Sequence, residues 1–283
     1  MTASSTVRVA AVQMEPRLGD VAGNLRSILD RFREATSAGA RLVVFPECAL
    51  SGYVFESLEE ALEFAEPVPG PSIRAIAAAC DGAGAFAVVG LLERDGDRLF
   101  NTAALVGPGG LIGAYRKIHI PFMGVDRFVT PGDGPLAVLD AGGLRVGLHI
   151  CYDGTFPETG RVLTLLGADI LVLPTNWPSQ SASSADHLPA CRAIENVVYM
   201  MAVDRVGEER GCVFAGRSSI VGPWGDILAR GGPVGEEILY AEVDPAASRR
   251  KHLVRVPGVQ EVDRIADRRP GFYAAIVEPN GRD

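Results

Sequence analysis

The sequence predicts an α/β protein built from packed layers of sheet and helix. Segments with strand character alternate with helix-periodic segments through most of the 283 residues. Strands apolar on both faces, such as Val146 to Ile150, stand beside strands of alternating pattern, and hairpins are mixed among the β–α units. That mixture suits stacked sheets better than a single doubly wound sheet. No linker, low-complexity segment, charge run or internal repeat cuts the chain, so it reads as one domain over residues 1–283.

The elements follow in order. Val7 to Gln13 reads as a strand. Gly23 to Ala38 has helical spacing, with Leu25, Ile28, Leu29 and Phe32 on one face. Arg41 to Phe45 is a short apolar strand. Ser72 to Cys80 is helical, with Pro71 and Ser72 as its start signal. Phe86 to Glu93 and Asn101 to Gly107 are strands joined by a polar hairpin at Asp95-Gly96-Asp97, and Leu111 to Tyr115 is another short strand. Leu144 to Ile150 is a buried strand, followed by a helix from about Thr155 to Leu166 and a strand from Asp169 to Pro174. A longer helix covers Ala185 to Val197. Strands at Tyr199 to Val203, Ser218 to Val221, Asp226 to Ala229 and Glu237 to Val243 close the series, with turns at Pro223-Trp224-Gly225 and Gly231-Gly232-Pro233.

Composition narrows the function. At 47% hydrophobic and 22% charged, the chain has the make-up of a soluble globular protein with a large core. A net charge of -8 and a pI of about 5.1 argue against nucleic acid or an anionic membrane as partner. No secretory signal is visible at the amino terminus, and the apolar runs are too short to span a bilayer. Cysteines at 48, 80, 151, 191 and 212 are scattered and odd in number, with no C-x-x-C pair. Reduced thiols in a cytoplasm are the expected state. His119, His149 and His187 are unclustered, so neither a metal site nor a cysteine–histidine dyad is expected. No cofactor is implied.

Three strand ends hold the chemistry. The apolar run ending at Ile150 delivers Cys151 to a turn ahead of a helix, where a thiol can be held as thiolate, the nucleophilic form. The N–H of Tyr152 would then point towards a carbonyl attacked by that sulfur. Glu47 follows the strand Leu42 to Phe45 and a proline. Burial there raises a carboxyl pKa and suits it to proton transfer. Lys117 lies between Tyr115 and the apolar run from Ile118, which holds a lysine near the interior. A nucleophile, a base and a cation for a developing oxyanion make a kit for acyl transfer. Cys48, Cys80, Cys191 and Cys212 read as buried, inert thiols, and no G-x-S-x-G elbow is present.

The ordered triple resembles the nitrilase superfamily, the carbon–nitrogen hydrolases. Phe45-Pro46-Glu47 with Ser51-Gly52-Tyr53 is similar to the family's glutamate motif, Tyr115-Arg116-Lys117-Ile118-His119 to its lysine motif, and Cys151-Tyr152-Asp153 with Phe156-Pro157-Glu158 to its cysteine motif. Gly167-Ala168-Asp169 with Pro174, Arg192-Ala193 with Glu195-Asn196, and Phe214, Gly216 and Ser218 with Pro223 and Gly225 extend the likeness over residues 6 to 245 or so. The resemblance implies a four-layer αββα sandwich with a core over about 6–245. The stretch beyond, about 246–283, carries many charges and little periodicity from Lys251 to Asp283 and reads as a C-terminal arm that packs on a partner subunit. The resemblance also implies a homodimer or higher homo-oligomer, with sheets and helices continued across the dimer. By the same resemblance Cys151 is the nucleophile, Glu47 the general base, and Lys117 with the Tyr152 N–H the oxyanion site. Many members add a second glutamate after the lysine motif. The segment from Phe122 to Gly132 has none, so Asp126 is its nearest substitute for orienting the substrate. Tyr53, Phe122 and Trp177 are expected to wall the pocket.

The implied activity is hydrolysis of a small linear amide by water, through a thioester, to carboxylate and ammonia. Nitrile-cleaving members usually carry tryptophan directly after the cysteine, so Tyr152 favours amides. N-carbamoyl or nitrile hydrolysis is the alternative within the superfamily. A catalytically silent binding protein is the alternative outside catalysis. A redox sensor would need a resolving cysteine near Cys151, and none is placed there.

Overall fold

The computed structural model of the chain describes residues 6–278. Its strands are β1 (Val7–Gln13), β2 (Leu42–Val44), β3 (Phe86–Asp95), β4 (Arg98–Gly107), β5 (Gly110–Arg116), β6 (Val138–Ala141), β7 (Leu144–Leu148) and β8 (Ile170–Thr175). They continue as β9 (Tyr199–Asp204), β10 (Glu208–Glu209), β11 (Cys212–Val213), β12 (Ser219–Val221), β13 (Ile227–Arg230), β14 (Glu237–Val243), β15 (His252–Val256) and β16 (Gln260–Asp263). The helices are α1 (Val21–Ser37), α2 (Leu58–Leu62), α3 (Pro71–Ala83), α4 (Pro157–Leu165), α5 (Ala182–Asn196) and α6 (Pro245–Arg249).

Two six-stranded sheets form the centre. One has the order β14-β1-β2-β3-β4-β5, the other β13-β12-β9-β8-β7-β6. In the first, β1, β2 and β3 run parallel, and β14, β4 and β5 pair antiparallel outside them. In the second, β7, β8 and β9 run parallel between antiparallel partners. Side chains alternate across a strand, and the burial follows. Ala10, Val12, Val43 and Val89 pack under Ile28 and Phe32 of α1 and Ile73 and Ile76 of α3. The opposite set, Val9, Ala11, Leu42, Val44 and Val88, shares a cluster with Val146, Leu148, Ile170, Val172 and Met200 of the second sheet. Leu163 of α4 and Ala193 of α5 belong to that cluster too. The layers are therefore helix, sheet, sheet, helix, as the αββα expectation has it. Each fully buried Val, Leu or Ile contributes about 1.5–3 kcal/mol. Burial alone thus drives the sheets together, and polar contacts are left to set how they meet.

The strand expected over Leu144 to Ile150 ends at Leu148, and a 3-10 turn covers Cys151–Thr155. The helix starts at Pro157, not near Thr155. A residue before proline is pushed out of the helical region, and Phe156 sits at φ -91, ψ 111, while proline itself suits a first helical position. The short elements β6, α2 and α6 have too few residues to show a period. The arm, expected to have little periodicity, holds α6 and the β15–β16 hairpin, and its last residues, 279–283, lie outside the described residues. Helix α6 is tied to the second sheet where the Ser248 hydroxyl donates to the Asp169 carbonyl at 2.6 Å and Arg249 pairs with the Asp169 carboxylate at 2.7 Å. No helix among the described residues is long and apolar enough to cross a membrane.

Candidate active site

Glu47 reaches the site because β2 stops at Val44 and the chain turns through Pro46 to Cys48, whose φ is 48°. That turn lies directly on β3. A Cβ at Gly90 would stand 2.4 Å from the Pro46 carbonyl oxygen and 2.7 Å from the Glu47 Cα, so only glycine lets the loop settle there. Lys117 follows β5, its N–H donating to the Asn101 carbonyl at 2.8 Å and its own carbonyl accepting from Gly132 at 2.8 Å. Cys151 follows the end of β7 with φ 45°, an uncommon conformation for a residue with a side chain. Such a residue costs of order 1–3 kcal/mol and persists only where its surroundings hold it.

Glu47, Lys117 and Cys151 are all buried, at 1%, 1% and 4% exposure, and lie close enough for the charges of Glu47 and Lys117 to act on the Cys151 thiol. Lys117 Nζ donates to Glu47 Oε1 at 2.8 Å and to Asp126 Oδ2 at 2.5 Å. Asn101 Nδ2 donates to Glu47 Oε1 at 2.7 Å and Asp126 Oδ1 at 2.9 Å, and the Tyr53 hydroxyl donates to Asp126 Oδ2 at 2.8 Å. Glu47 Oε2 is buried with no hydrogen-bond partner among the described residues. One N–H of the lysine ammonium likewise has no partner there.

Electrostatics follow from burial. Burial pushes the Glu47 carboxyl up, against the opposing pull of Lys117. Burial works to lower the Lys117 ammonium, but the charges of Glu47 and Asp126 outweigh it and hold the lysine well above its usual value. Burial, reinforced by Glu47, pushes the Cys151 thiol up; Lys117, the Thr175 hydroxyl and the Asn176 N–H only partly offset this. The expectation of a resting thiolate is thus corrected. The sulfur is desolvated beside a carboxylate, and α4 begins only at Pro157, so the thiol keeps its proton until a base removes it.

The remaining candidates divide. Tyr53 and Asp126 are buried in the network itself. Trp177 is buried in the apolar cluster that contains Cys151, and its backbone N–H donates to Asp204 Oδ1 at 3.0 Å. The Tyr152 ring is half-exposed, edge-on to Phe156 at 5.1 Å. Phe122 is 90% exposed and is not gathered into the site as expected. Its loop turns back at Gly124, where a Cβ would lie 2.2 Å from the Tyr53 ring. Of the four cysteines expected to be buried and inert, Cys191 is exposed and Cys212 half-buried. Asn101 escaped the sequence reading. Its only signal is an amide in the middle of the apolar strand from Leu99 to Val106.

His149, two residues before the thiol, is fully buried, and among the described residues neither ring nitrogen has a hydrogen-bond partner, although the Gly147 and Val172 backbone lies near enough to favour its charged form. Burial lowers its pKa from 6.5 to about 4. Below pH 6.5 the unfolded chain therefore takes up a proton that the folded chain refuses until about pH 4. Stability present above pH 6.5 falls across that window, by about 3 kcal/mol from this group. Urea unfolding of His149→Gln at pH 7 and pH 4.5 should show a correspondingly smaller loss than wild type. An unchanged loss would assign the acid sensitivity elsewhere.

Comparison with known proteins agrees with this architecture. The sequence profile of the carbon-nitrogen hydrolase family matches residues 8–252. The chain is 40% identical to a nitrilase from Pyrococcus abyssi over 269 residues, covering 94% of this chain and 99% of that one. It is 37% identical to an (R)-stereoselective amidase from a Pseudomonas species, covering 98% and 97%. Among solved structures, a mutant of the amidase from Nesterenkonia sp. AN1 carries the acetamide moiety of fluoroacetamide covalently added at its active-site cysteine. It matches with a TM-score of 0.78 and 26% identity, covering 95% of this chain and 96% of that one. The profile spans both sheets and every residue of the buried network, so the chain belongs to the carbon-nitrogen hydrolase family and is a hydrolase acting on carbon–nitrogen bonds.

Proposed function

We propose that the protein is an amidase that hydrolyses a small linear amide through a thioester at Cys151. The observation that carries this reading is the pair of unused groups beside the thiol: Glu47 Oε2 without a partner, and a remaining N–H donor on Lys117. In the first half, Glu47 takes the thiol proton as Sγ bonds to the amide carbon, and the oxyanion forms against Lys117 and the Tyr152 N–H. Glu47 returns the proton to the leaving nitrogen as the C–N bond breaks, releasing ammonia. In the second half, Glu47 takes a proton from water, which attacks the thioester; the C–S bond breaks and the thiol regains its proton. A carboxyl pKa raised by burial suits both directions of transfer.

Tyr152 and the amidase relatives favour an amide over a nitrile. Ammonia release from a panel of small amides, ω-amides, N-carbamoyl amino acids and nitriles tests this. Small amides should lead. Turnover of nitriles with refusal of amides would replace the proposal by the nitrile reading, and release from none of them by the silent binding protein.

Asp126, taken from the sequence as a group to orient the substrate, has contacts that favour another role. Both oxygens already accept from Lys117, Asn101 and Tyr53, so we assign it to holding the lysine. Asp126→Asn should lower kcat by roughly ten- to a hundredfold, less than loss of the lysine itself, with KM little changed. A large rise in KM would return Asp126 to the substrate.

A further inference from the structure

The network around Lys117 and the nucleophile come from different sheets. Glu47 follows β2, Asn101 lies on β4, Lys117 follows β5, and Asp126 sits in the loop beyond, all on the side of the first sheet. Cys151 alone follows β7 of the second. Acyl transfer needs reacting groups placed to within fractions of an ångström. Apolar packing between two sheets is non-directional and does not fix that register. Something polar must.

We infer that Asp153 is the positioning residue that sets the cysteine turn against the lysine segment. Its carboxylate is fully buried. Oδ2 accepts from the Tyr115 hydroxyl at 2.8 Å and from the Ile150 N–H at 2.9 Å. Oδ1 accepts from the His119 N–H at 3.1 Å and lies 2.7 Å from His119 Nδ1, which donates to it in the tautomer protonated there. Among the described residues, every hydrogen bond joining residues 115–119 to residues 150–155 ends on this carboxylate. Tyr115 and His119 flank Lys117 at two residues on either side, and Ile150 directly precedes Cys151. One side chain thus grips both catalytic segments, and its bond to Ile150 helps hold the strained φ of Cys151. The His119 ring also stacks on Phe156 at 3.8 Å between centroids, closing the same seam.

The far side of the turn is anchored separately. Buried Arg192 of α5 donates to the Gly154 and Thr155 carbonyls at 2.9 Å each. These bonds fix the turn to its helix and leave its relation to Lys117 to Asp153.

The inference rests on the proposed roles of Cys151 and Lys117, so its test includes a readout that needs no amide turnover. Asp153→Asn leaves one oxygen to serve donors that now use two, and places an N–H₂ against either the Tyr115–Ile150 pair or His119. With a small amide that the wild type turns over, this variant should lose at least about tenfold in kcat while KM changes little. Tyr115→Phe, which removes one tie only, should lose less. Alkylation of Cys151 by iodoacetamide, followed by peptide mass, should slow in the same order. Circular dichroism and melting curves keep a merely unfolded variant from being counted. If Asp153→Asn remains folded with wild-type kcat and wild-type alkylation, Asp153 is structural only and the inference fails. If the wild type turns over no amide at all, the amidase reading fails instead, and the alkylation series alone decides the role of Asp153.

Discussion

Cys151→Ala should abolish turnover, by roughly a millionfold or to below detection, the scale on which loss of a nucleophile acts. The fold should survive. Removing one sulfur from a site beside buried polar groups deletes little apolar surface, and the Glu47–Lys117–Asp126 network does not depend on it. Substrate binding should persist, so the variant is suited to trapping an intact amide. In the wild type, rapid quenching with substrate should add an acyl mass to the peptide that contains Cys151. Finding that mass on Cys48, which is fully buried with a strongly raised pKa, or on no cysteine, would overturn the thioester.

Loss of the lysine should have the next largest effect. Lys117→Ala removes the cation that the proposed mechanism sets against the oxyanion, and one such stabiliser is worth roughly 3–4 kcal/mol, about a hundred- to a thousandfold in rate. The loss should fall on kcat more than on KM. A second cost arises because Glu47 and Asp126 would face each other without the charge between them. Breaking a buried pair typically costs about 3–5 kcal/mol of stability. The two effects separate if kcat is measured well below the melting temperature and small alkylamines are tested for rescue. Partial recovery with amine would place the deficit at the missing ammonium. Near-normal turnover at saturating substrate would leave the lysine a purely structural role. Glu47→Gln is the companion variant: in the proposed mechanism one base serves both halves of the reaction, so acylation and deacylation should both slow.

What could be read without coordinates was what a strand end announces. Glu47 and Cys151 each follow an apolar run at a turn, and Lys117 stands at a strand end just before one, a placement that is local in sequence. Strand and helix patterns of the same kind gave packed layers of sheet and helix, and the order of the layers came from the resemblance of the motifs. Asn101 and Asp153 were not legible as parts of the site. Their bonds join Asn101 to Glu47, 54 residues away, and Asp153 to Tyr115, 38 residues away and in the other sheet. Phe122 failed for the converse reason: an aromatic ring near a motif suggests a wall, but the loop leaves it in solvent. The resting state of the thiol depended on how far the sulfur is buried and on which charge stands beside it, and neither follows from a strand-turn-helix pattern.

The position of β14 bears on how the protein is born. That strand pairs with β1 along its whole length, from Val7 opposite Val243 to Gln13 opposite Glu237. The sheet that begins with the seventh residue is therefore completed by nearly the last strand of the core. A ribosome adds residues one end first, at about 5–20 per second. Through most of synthesis β1 has an open edge where its final neighbour is missing, and an open edge is a template for wrong partners. By the time Val243 emerges, Cys151 and Glu47 have both long been made. Newly made chains stalled before that point should be the aggregation-prone form, because β1 gains its outer neighbour only when one of the last core strands is made.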